Sequence, residues 1–266
     1  MYEKYLKPKK SLGQNFLRSQ KAIDEIVSAV KGDYEIIEIG GGEGVVTRAL
    51  LDKGHTVRVI ELDERAVAKM SGDLKDFINS GKLEILNQDV LESDFNKIVK
   101  TQKYIVVGNI PYYITGLIFR HIFEQEILPS QAILMVQKEV AERVVAKNSK
   151  ESIISLSVKF YGHPKMISIV RAESFLPPPK VDSAIISIED IIEKTESTKD
   201  LEIKFFILIK AAFKHPRKYA LNNIKKYLIE DSKNKTLLES AVSYLDEKVR
   251  AEDVSLDTWL KIIKSL

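Results

Sequence analysis

The sequence predicts an α/β protein whose mostly parallel sheet carries a late antiparallel strand and is followed by a small all-helical domain. Apolar runs alternate with helical patterns as far as residue 136, which is typical of β-α-β units. Two closely spaced strand patterns come next, and these favour an antiparallel pair at one side of the sheet. Only helical patterns follow residue 200. We therefore predict two domains, 1–192 and 193–266, joined by a charged, Thr/Ser-rich linker at Glu193–Asp200.

Composition narrows the class of protein. The chain has 266 residues, of which 44% are hydrophobic and 30% charged, and no apolar run is long enough to span a bilayer. The first ten residues are polar and basic, without the apolar core of a signal sequence. Cysteine is absent and the four histidines are scattered, so no metal-ligand spacing is present. We expect a cytoplasmic, metal-free protein with no membrane contact, and a monomer because no heptad pattern indicates an obligate dimer.

Two basic clusters stand out against a net charge of only +3. The N-terminal cluster consists of Lys4, Lys7, Lys9, Lys10, Arg18 and Lys21, and the C-terminal cluster of Lys210, Lys214, Arg217, Lys218, Lys225 and Lys226. Either cluster alone is typical of a solvated face. Together, on either side of a nearly neutral core, they favour a polyanionic partner.

The strands and helices can be placed before any function is considered. The predicted strands are Tyr34–Ile39, Thr56–Ile60, Leu83–Leu86, Tyr104–Val107, Gln131–Val136, Met166–Val170 and Ser183–Ile188. The predicted helices include Val45–Leu51, one that starts at Thr115 as its N-cap, Lys138–Ala146, Ser152–Tyr161, Phe205–Phe213, Arg217–Ile229, Lys235–Leu245 and Leu256–Ile263.

Three successive strands end in residues suited to a nucleoside. The first runs into a G-x-G-x-G turn that contains Gly40 and Gly42, where a ligand can approach the backbone at a helix N-terminus. Glu61 lies about 20 residues further on, the separation expected of an acid that binds a ribose diol. Asp89 follows the third strand and either accepts from an adenine amino group or caps a loop, while Asp63 is more simply a helix N-cap.

The fourth strand leads into Asn109-Ile110-Pro111-Tyr112. NAD and S-adenosylmethionine both contain adenosine, but an amide beside a proline and an aromatic ring suits methylation of an exocyclic amine rather than hydride transfer. The Asn109 oxygen and a backbone carbonyl at Ile110 or Pro111 would hold the two amine hydrogens, and Tyr112 would stack on the base. A base must leave its stack to reach such a pocket.

Two further segments carry alternatives. Phe175 begins a stiff triple-proline loop, so its ring either packs in the core or forms a second wall beside the target base. The segment Leu12–Leu17 either packs as a simple N-terminal arm or takes part in the site.

The chain resembles the KsgA-type small-subunit rRNA adenine dimethyltransferases, within the group that includes the Erm methyltransferases. The matching stretches run in order through most of the chain: SLGQNFL (11–17), EIGGGEGVVT (38–47), VIELD (59–63), NQDV (87–90), NIPYYIT (109–115), VQKEVAERV (136–144), FLPPPKVDSA (175–184), PRKYALNN (216–223) and RAEDVS (250–255).

The resemblance implies a Rossmann-like methyltransferase domain that uses S-adenosyl-L-methionine to dimethylate N6 of two adjacent adenines near the 3′ end of 16S rRNA, in the immature 30S subunit. It implies cofactor contacts at Asn15, Leu17, Gly40, Gly42, Glu61, Asp89 and Asn109. It implies target-base handling by Asn109, Pro111, Tyr112 and Phe175. We expect RNA contacts from the basic clusters at Lys9, Lys10, Lys214, Arg217 and Lys218.

Two alternatives remain at this stage. The first alternative is an Erm-type enzyme that acts on large-subunit rRNA, because isoleucine at position 110 also occurs in Erm enzymes. The segment His215-Pro216-Arg217-Lys218 is also less basic than the corresponding run in the KsgA branch. The second alternative is a catalytically silent RNA-binding assembly or transcription factor that keeps the fold.

Overall fold

The computed structural model describes residues 6–146, 148, 150–228 and 235–265. Two compact units divide the chain: the first extends to Ala141 and includes Gly162–Ile192, and the second comprises Glu142–Tyr161 and everything from Glu193 onward. The single boundary predicted at residue 192 assigns 142–161 to the first domain, whereas the structure groups this segment with the C-terminal helices.

The first unit contains a seven-stranded sheet with the strand order β4-β3-β2-β5-β6-β9-β7 and a separate two-stranded sheet, β1-β8. The strands are β1 (Phe16–Leu17), β2 (Glu35–Ile39), β3 (Val57–Glu61), β4 (Leu83–Asn87), β5 (Tyr104–Asn109), β6 (Gln131–Gln137), β7 (His163–Val170), β8 (Phe175–Leu176) and β9 (Ser183–Glu189).

Helices flank the sheet and make up the second unit. They are α1 (Gln20–Ala29), α2 (Val45–Asp52), α3 (Glu64–Asp73), α4 (Lys75–Asn79), α5 (Phe95–Ile98), α6 (Thr115–Glu124), α7 (Lys138–Val144), α8 (Ile153–Tyr161), α9 (Glu196–Ala212), α10 (Ala220–Leu228), α11 (Lys235–Tyr244) and α12 (Leu256–Lys264). Of the predicted positions, Lys4 and Ile229 lie outside the described residues.

Strands β2 to β6 form the parallel part of the sheet. The isoleucine and valine residues of β2, β3, β5 and β6 are buried at consecutive positions, so both faces of the sheet are covered there, as in other parallel sheets. Strand β9 is antiparallel to both β6 and β7. The predicted mostly parallel sheet with a late antiparallel strand is therefore confirmed.

The second unit has its own apolar core. Trp259 and Phe205 are fully buried, and the rings of Phe160 and Phe205 stack with their centroids 4.6 Å apart. Within the described ranges, no helix combines the length and apolar character needed to cross a membrane.

The predicted linker at Glu193–Asp200 is wrong in its second half, because α9 already begins at Glu196. The Thr195 hydroxyl accepts from the N–H of Thr198, and the Thr198 hydroxyl accepts from the N–H of Thr195. This reciprocal capping satisfies two backbone donors and stabilises a helix start inside a polar stretch.

Thr115 also differs from its predicted role. It is the first residue of α6 rather than the N-cap, and its hydroxyl donates to the carbonyl of Tyr112 over 3.1 Å. This bond fixes the turn between β5 and α6, which contains Ile110, Pro111 and Tyr112.

The glycine turn after β2 yields a test of this packing. A Cβ at Gly41 would lie 2.6 Å from a methyl carbon of Val59 and 2.9 Å from the sulfur of Met70, both buried. We expect Gly41→Ala to lower the free energy of unfolding by about 1–3 kcal/mol, because the core cannot absorb the overlap. Urea denaturation measures this change.

Gly72 provides the matched control, because it is exposed in α3 and a Cβ there would meet nothing within 4 Å. Gly72→Ala should raise the free energy of unfolding by about 0.5–1 kcal/mol. Equal effects of the two substitutions would contradict the packing described for Gly41.

Candidate active site

The carboxyl ends of three adjacent parallel strands bring the predicted cofactor residues together. In the sheet register Ile39 pairs with Ile60 on one side and with Gly108 on the other. Gly40, Glu61 and Asn109 therefore lie at the same edge of the sheet. This is the edge at which open α/β sheets bind ligands.

The turn between β2 and α2 needs its glycines. Gly40, Gly42 and Gly44 have φ values of +74°, +56° and +78°, a region that side chains with a Cβ rarely adopt. The turn holds its backbone against Glu61, whose Oε2 accepts from the N–H of Gly42 over 2.8 Å.

Glu61 is buried and bound at both oxygens, because its Oε1 accepts from the N–H of Asp63 over 2.8 Å. Each carboxylate oxygen has two acceptor positions, so one remains on each oxygen for a hydroxyl donor. The carboxylate is thus held rigidly, with free acceptor capacity, in the position predicted for a ribose-binding acid.

The capping role considered for Asp89 is present in the structure. Its Oδ1 accepts from the N–H of Leu91 over 2.9 Å at the start of a short 3-10 turn, Val90–Glu92. Asp89 also lines the same cleft as Glu61. Capping fixes its carboxylate, and an adenine contact remains a proposal.

Asn109 is oriented by residues 6–17, which we call the N-terminal arm. Its side-chain N–H donates to the carbonyl of Asn15 over 3.2 Å, and the Asn15 amide in turn donates to the carbonyl of Gly13 over 3.1 Å. The bond to Asn15 fixes the orientation of the Asn109 amide, whose oxygen is the side-chain acceptor that a ligand N–H can use.

The structure favours one of the two backbone carbonyls considered as the second acceptor. The Pro111 carbonyl already accepts from the N–H of Ile114 over 3.2 Å, and from the Thr115 hydroxyl over 3.5 Å. Both acceptor positions of the Pro111 carbonyl are thus used, which leaves the Ile110 carbonyl for a ligand. Ile110 is therefore the better candidate.

Tyr112 is half-buried at the cleft, and its hydroxyl lies 2.8 Å from the hydroxyl of the buried Ser183. Burial raises the pKa of Tyr112 above its ordinary value, although the bond to Ser183 acts in the opposite direction. The phenol therefore stays neutral, and its bond to Ser183 restrains the ring.

Phe175 packs in the core and also borders the cleft, so each of its two predicted positions is partly correct. Its side chain is only 4% exposed and belongs to the apolar core, yet it lines the cleft. In the two-stranded sheet it pairs with Leu17, and Leu176 pairs with Phe16. The triple-proline loop is thus joined to the N-terminal arm, a contact that the sequence did not indicate.

These residues surround one cleft with a volume of about 240 Å³. The cleft is lined by every predicted cofactor and target-base residue: Asn15, Leu17, Gly40, Gly42, Glu61, Asp89, Asn109, Pro111, Tyr112 and Phe175. In the described part of the chain, no cluster of three or more histidine or acidic side chains has the arrangement of a metal site.

Sequence reasoning missed Glu38, which also lines the cleft. Its side chain is buried, and its Oε2 has no hydrogen-bond partner among the described residues. Burial raises the pKa of Glu38 to about 7, with hydrogen bonds to Thr47 opposing the shift and the nearby Glu61 adding to it. Only its place near the end of β2, two residues before Gly40, pointed to a role.

The predicted RNA contacts are divided between the two units. Lys9 and Lys10 are exposed on the N-terminal arm, although the Lys9 ammonium lies 3.2 Å from the Asp63 carboxylate. Lys214, Arg217 and Lys218 are exposed in the second unit, where the Lys214 ammonium lies over the ring of Tyr227. Lysine and aromatic side chains on one surface are typical of RNA contacts.

Comparison with known proteins settles the family. The model of the ribosomal RNA adenine dimethylase family matches residues 5–266. The chain belongs to this family. The resemblance read from the motifs is therefore confirmed, as are the enzyme class, an rRNA adenine dimethyltransferase, and the S-adenosylmethionine cofactor.

Relatives and solved structures agree with this assignment. Ribosomal RNA small subunit methyltransferase A of Mycoplasmopsis pulmonis is 38% identical, with 98% of this chain and all of the relative covered. The protein of the same name from Fusobacterium nucleatum is 37% identical, with 97% of each chain covered. A dimethyladenosine transferase from Plasmodium falciparum superposes with a TM-score of 0.77 at 26% identity, covering 94% of this chain and 96% of the other.

A more distant structure shows the shared fold. The 23S rRNA methyltransferase ErmE is 22% identical and superposes with a TM-score of 0.71, covering 95% of this chain and 99% of the other. The Rossmann-like methyltransferase fold expected from the sequence is confirmed by these superpositions.

The cleft fits S-adenosylmethionine in its chemistry. Glu61 keeps acceptor capacity for a ribose diol, and the unpartnered oxygen of Glu38 offers an acceptor to a cationic or N–H group. A Cβ at Gly42 would lie 3.3 Å from the Phe16 ring, a tight contact, and the φ of +56° further disfavours a side chain there. Glu38 and Glu61 both line the cleft together with the glycine turn, whose backbone a ligand can approach.

The buried acid Glu38 yields a test. Its folded-state pKa of about 7 exceeds its ordinary value of 4.5, so the folded state loses stability as pH rises from about 4.5 through 7. Glu38→Gln should remove this loss, raising Tm by about 5 °C at pH 8 and by less than about 2 °C at pH 5. Calorimetric melting at both pH values checks this, and an equal shift at the two would show that Glu38 is not the titrating group.

Proposed function

We propose that this chain transfers methyl groups from S-adenosylmethionine to N6 of two adjacent adenines in a hairpin loop near the 3′ end of 16S rRNA, during late assembly of the small subunit. The observation that carries the proposal is the convergence of Asn109, the Ile110 carbonyl and Tyr112 beside the cleft that contains Glu61. An amine acceptor pair and a stacking ring thus lie next to a candidate cofactor site.

The choice of the small subunit is supported by the relatives. Proteins 36–38% identical over nearly the whole chain bear the name ribosomal RNA small subunit methyltransferase A. The likeness to ErmE, at 22% identity, extends to the fold alone. An Erm-type enzyme acting on 23S rRNA is therefore the less supported alternative.

A catalytically silent RNA-binding factor is also less supported. Loss of the reaction would release Asn109, Tyr112 and Glu61 from selection for their geometry. Instead each is held by specific hydrogen bonds, to Asn15, Ser183 and Gly42 respectively. Such restraint is the arrangement that catalysis by positioning requires.

In the proposed mechanism, Asn109 and Ile110 prepare the nucleophile. An adenine N6 is a poor nucleophile because its lone pair is delocalised into the ring. The Asn109 oxygen and the Ile110 carbonyl would accept one hydrogen each and draw the nitrogen towards tetrahedral geometry. No strong general base is needed, because the amine proton becomes acidic only as the new bond forms.

Tyr112 and Phe175 would hold the ring of the target base. The restrained Tyr112 ring offers a stacking face for an adenine turned out of its strand. Phe175 lies on the same cleft, although its burial leaves only part of the ring for contact. Orientation of the amine by these groups would supply much of the rate enhancement.

The cofactor would lie along the strand ends. Asn15, Leu17, Gly40, Gly42, Glu61, Asp89 and Asn109 would hold it, with Glu61 accepting from its ribose hydroxyls and Asp89 from its adenine amino group. When bound, S-adenosylmethionine supplies an electrophilic methyl group on a positively charged sulfur.

The basic residues would contact RNA phosphates. Lys10, Lys214, Arg217 and Lys218 are exposed, and each phosphate they neutralise adds to affinity through the release of counterions. Lys9 has a competing partner in Asp63. We further propose that the enzyme acts as a monomer, in the cytoplasm, on the immature 30S subunit.

The acceptor pair and the stacking ring can be tested separately from folding. Asn109→Ala and Tyr112→Ala should each lower methyl transfer to immature small subunits by about 100-fold or more, because the amine or the ring is no longer positioned. Radiolabelled methyl incorporation under single-turnover conditions measures the loss.

Tyr112→Phe is the matched control, because it keeps the ring and removes only the hydroxyl bond to Ser183. It should lower transfer by less than about 10-fold. Undiminished transfer by both alanine variants, with unchanged melting temperatures, would refute the proposed roles.

A further inference from the structure

Asp63 binds more donors than a helix cap requires. It immediately precedes α3, and its Oδ1 accepts from the N–H of Arg65 as an N-cap does. The Arg65 guanidinium donates to both carboxylate oxygens, over 3.0 and 2.6 Å. Two more donors come from a distant part of the sequence: Lys9 to Oδ1 over 3.2 Å and Gln14 to Oδ2 over 2.9 Å.

The contacts of Asp63, Lys9 and Gln14 form a closed ring. The backbone N–H of Lys9 donates to the Gln14 side-chain oxygen over 2.8 Å, while the Gln14 amide nitrogen and the Lys9 ammonium both donate to Asp63. The short turn Lys10–Leu12 lies inside this ring. The ring therefore fixes the shape of the arm as well as its attachment.

The attached segment forms one wall of the candidate cofactor cleft. Residues Leu12 to Leu17 of the N-terminal arm line the cleft. Asn109 donates to the arm at Asn15, and β1 pairs with β8 at the opposite end. These contacts hold the cleft end of the arm, whereas Asp63 holds the end nearer the N-terminus.

Arg65 also helps to hold the N-terminal arm, because it contacts both Asp63 and the arm itself. While its guanidinium holds Asp63, its Nη1 donates to the backbone carbonyl of Lys7 over 3.0 Å. The hydrogen bonds from Arg65, followed by those from Gln14 and Lys9, lower the pKa of Asp63 far below its ordinary value. The carboxylate therefore remains charged at neutral pH.

We propose that Asp63 is a positioning residue for methyl transfer, which holds the N-terminal arm through Lys9 and Gln14 and so completes the cofactor end of the cleft. Asp63 does not need to touch the cofactor, since it acts through Asn15 and Leu17. The inference rests on the proposed function for the identity of the ligand, but the attachment of the arm is a property of the chain alone.

The proposal reassigns Lys9. Its side chain is 46% exposed, and the carboxylate that it contacts is fully covered. A lysine in this position serves the cofactor cleft rather than the RNA, so its removal should weaken cofactor binding in the absence of any RNA.

Two measurements without RNA test the role of Asp63. Calorimetry gives the Kd of S-adenosylhomocysteine, and hydrogen-exchange mass spectrometry of the cofactor-free protein gives the protection of residues 9–17. Asp63→Asn, which keeps an N-cap, and Lys9→Met should each raise the Kd about tenfold and speed exchange of the arm. In a separate assay with immature small subunits as substrate, kcat at saturating cofactor should change less than about threefold.

Lys69→Met is the control, because it removes a surface ion pair with Asp73 on α3 that does not involve the arm. It should leave the Kd and the exchange of the arm unchanged. If Asp63→Asn fails to fold, Lys9→Met and Gln14→Leu provide the same test from the arm side.

The outcomes separate this inference from the proposed function. Wild-type Kd and wild-type arm exchange in Lys9→Met and Asp63→Asn would overturn the role of Asp63. Failure of the wild-type protein to bind S-adenosylhomocysteine would contradict the proposed function instead, and the exchange measurement would still decide whether Asp63 holds the arm.

Discussion

The parallel register of β2 against its two neighbours is the constraint on which the rest of the site depends. The pairing of Ile39 with Ile60 and Gly108 brings the ends of three strands to one edge. A slip of one residue would turn Glu61 or Asn109 to the opposite face of the sheet. The buried isoleucine and valine runs on both faces oppose such a slip, so packing of the core also sets the geometry of the site.

A second level of organisation is the sharing of donors and acceptors between the strand ends and the N-terminal arm. Glu61 accepts from the glycine turn, Asn109 donates to the arm, and Asp63 binds the arm from the end of β3. Each polar group at the edge of the sheet thus holds another in place. The cleft is therefore preorganised, which is how a site that lacks a strong general base can contribute to rate.

Much of this arrangement was predictable because its signals are local. Buried apolar runs identified the strands, and the residues directly after them identified Gly40, Glu61 and Asn109. The contacts that were missed are distant in sequence. The pairing of Phe16 with Leu176 and the bond from Gln14 to Asp63 leave no periodic pattern, since they depend on how loops meet after the sheet has formed. The grouping of residues 142–161 with the C-terminal helices was missed for the same reason.

Nucleoside mass spectrometry of both ribosomal subunits is the most direct test of the central claim, that this cleft dimethylates adenines of small-subunit rRNA. The purified protein would be incubated with S-adenosylmethionine and immature small subunits, or with large subunits, before the RNA is digested. The account predicts N6,N6-dimethyladenosine in the small-subunit RNA and no new methylation in the large. Methylation confined to large-subunit RNA, or no methylation of either subunit by protein that binds the cofactor, would contradict it.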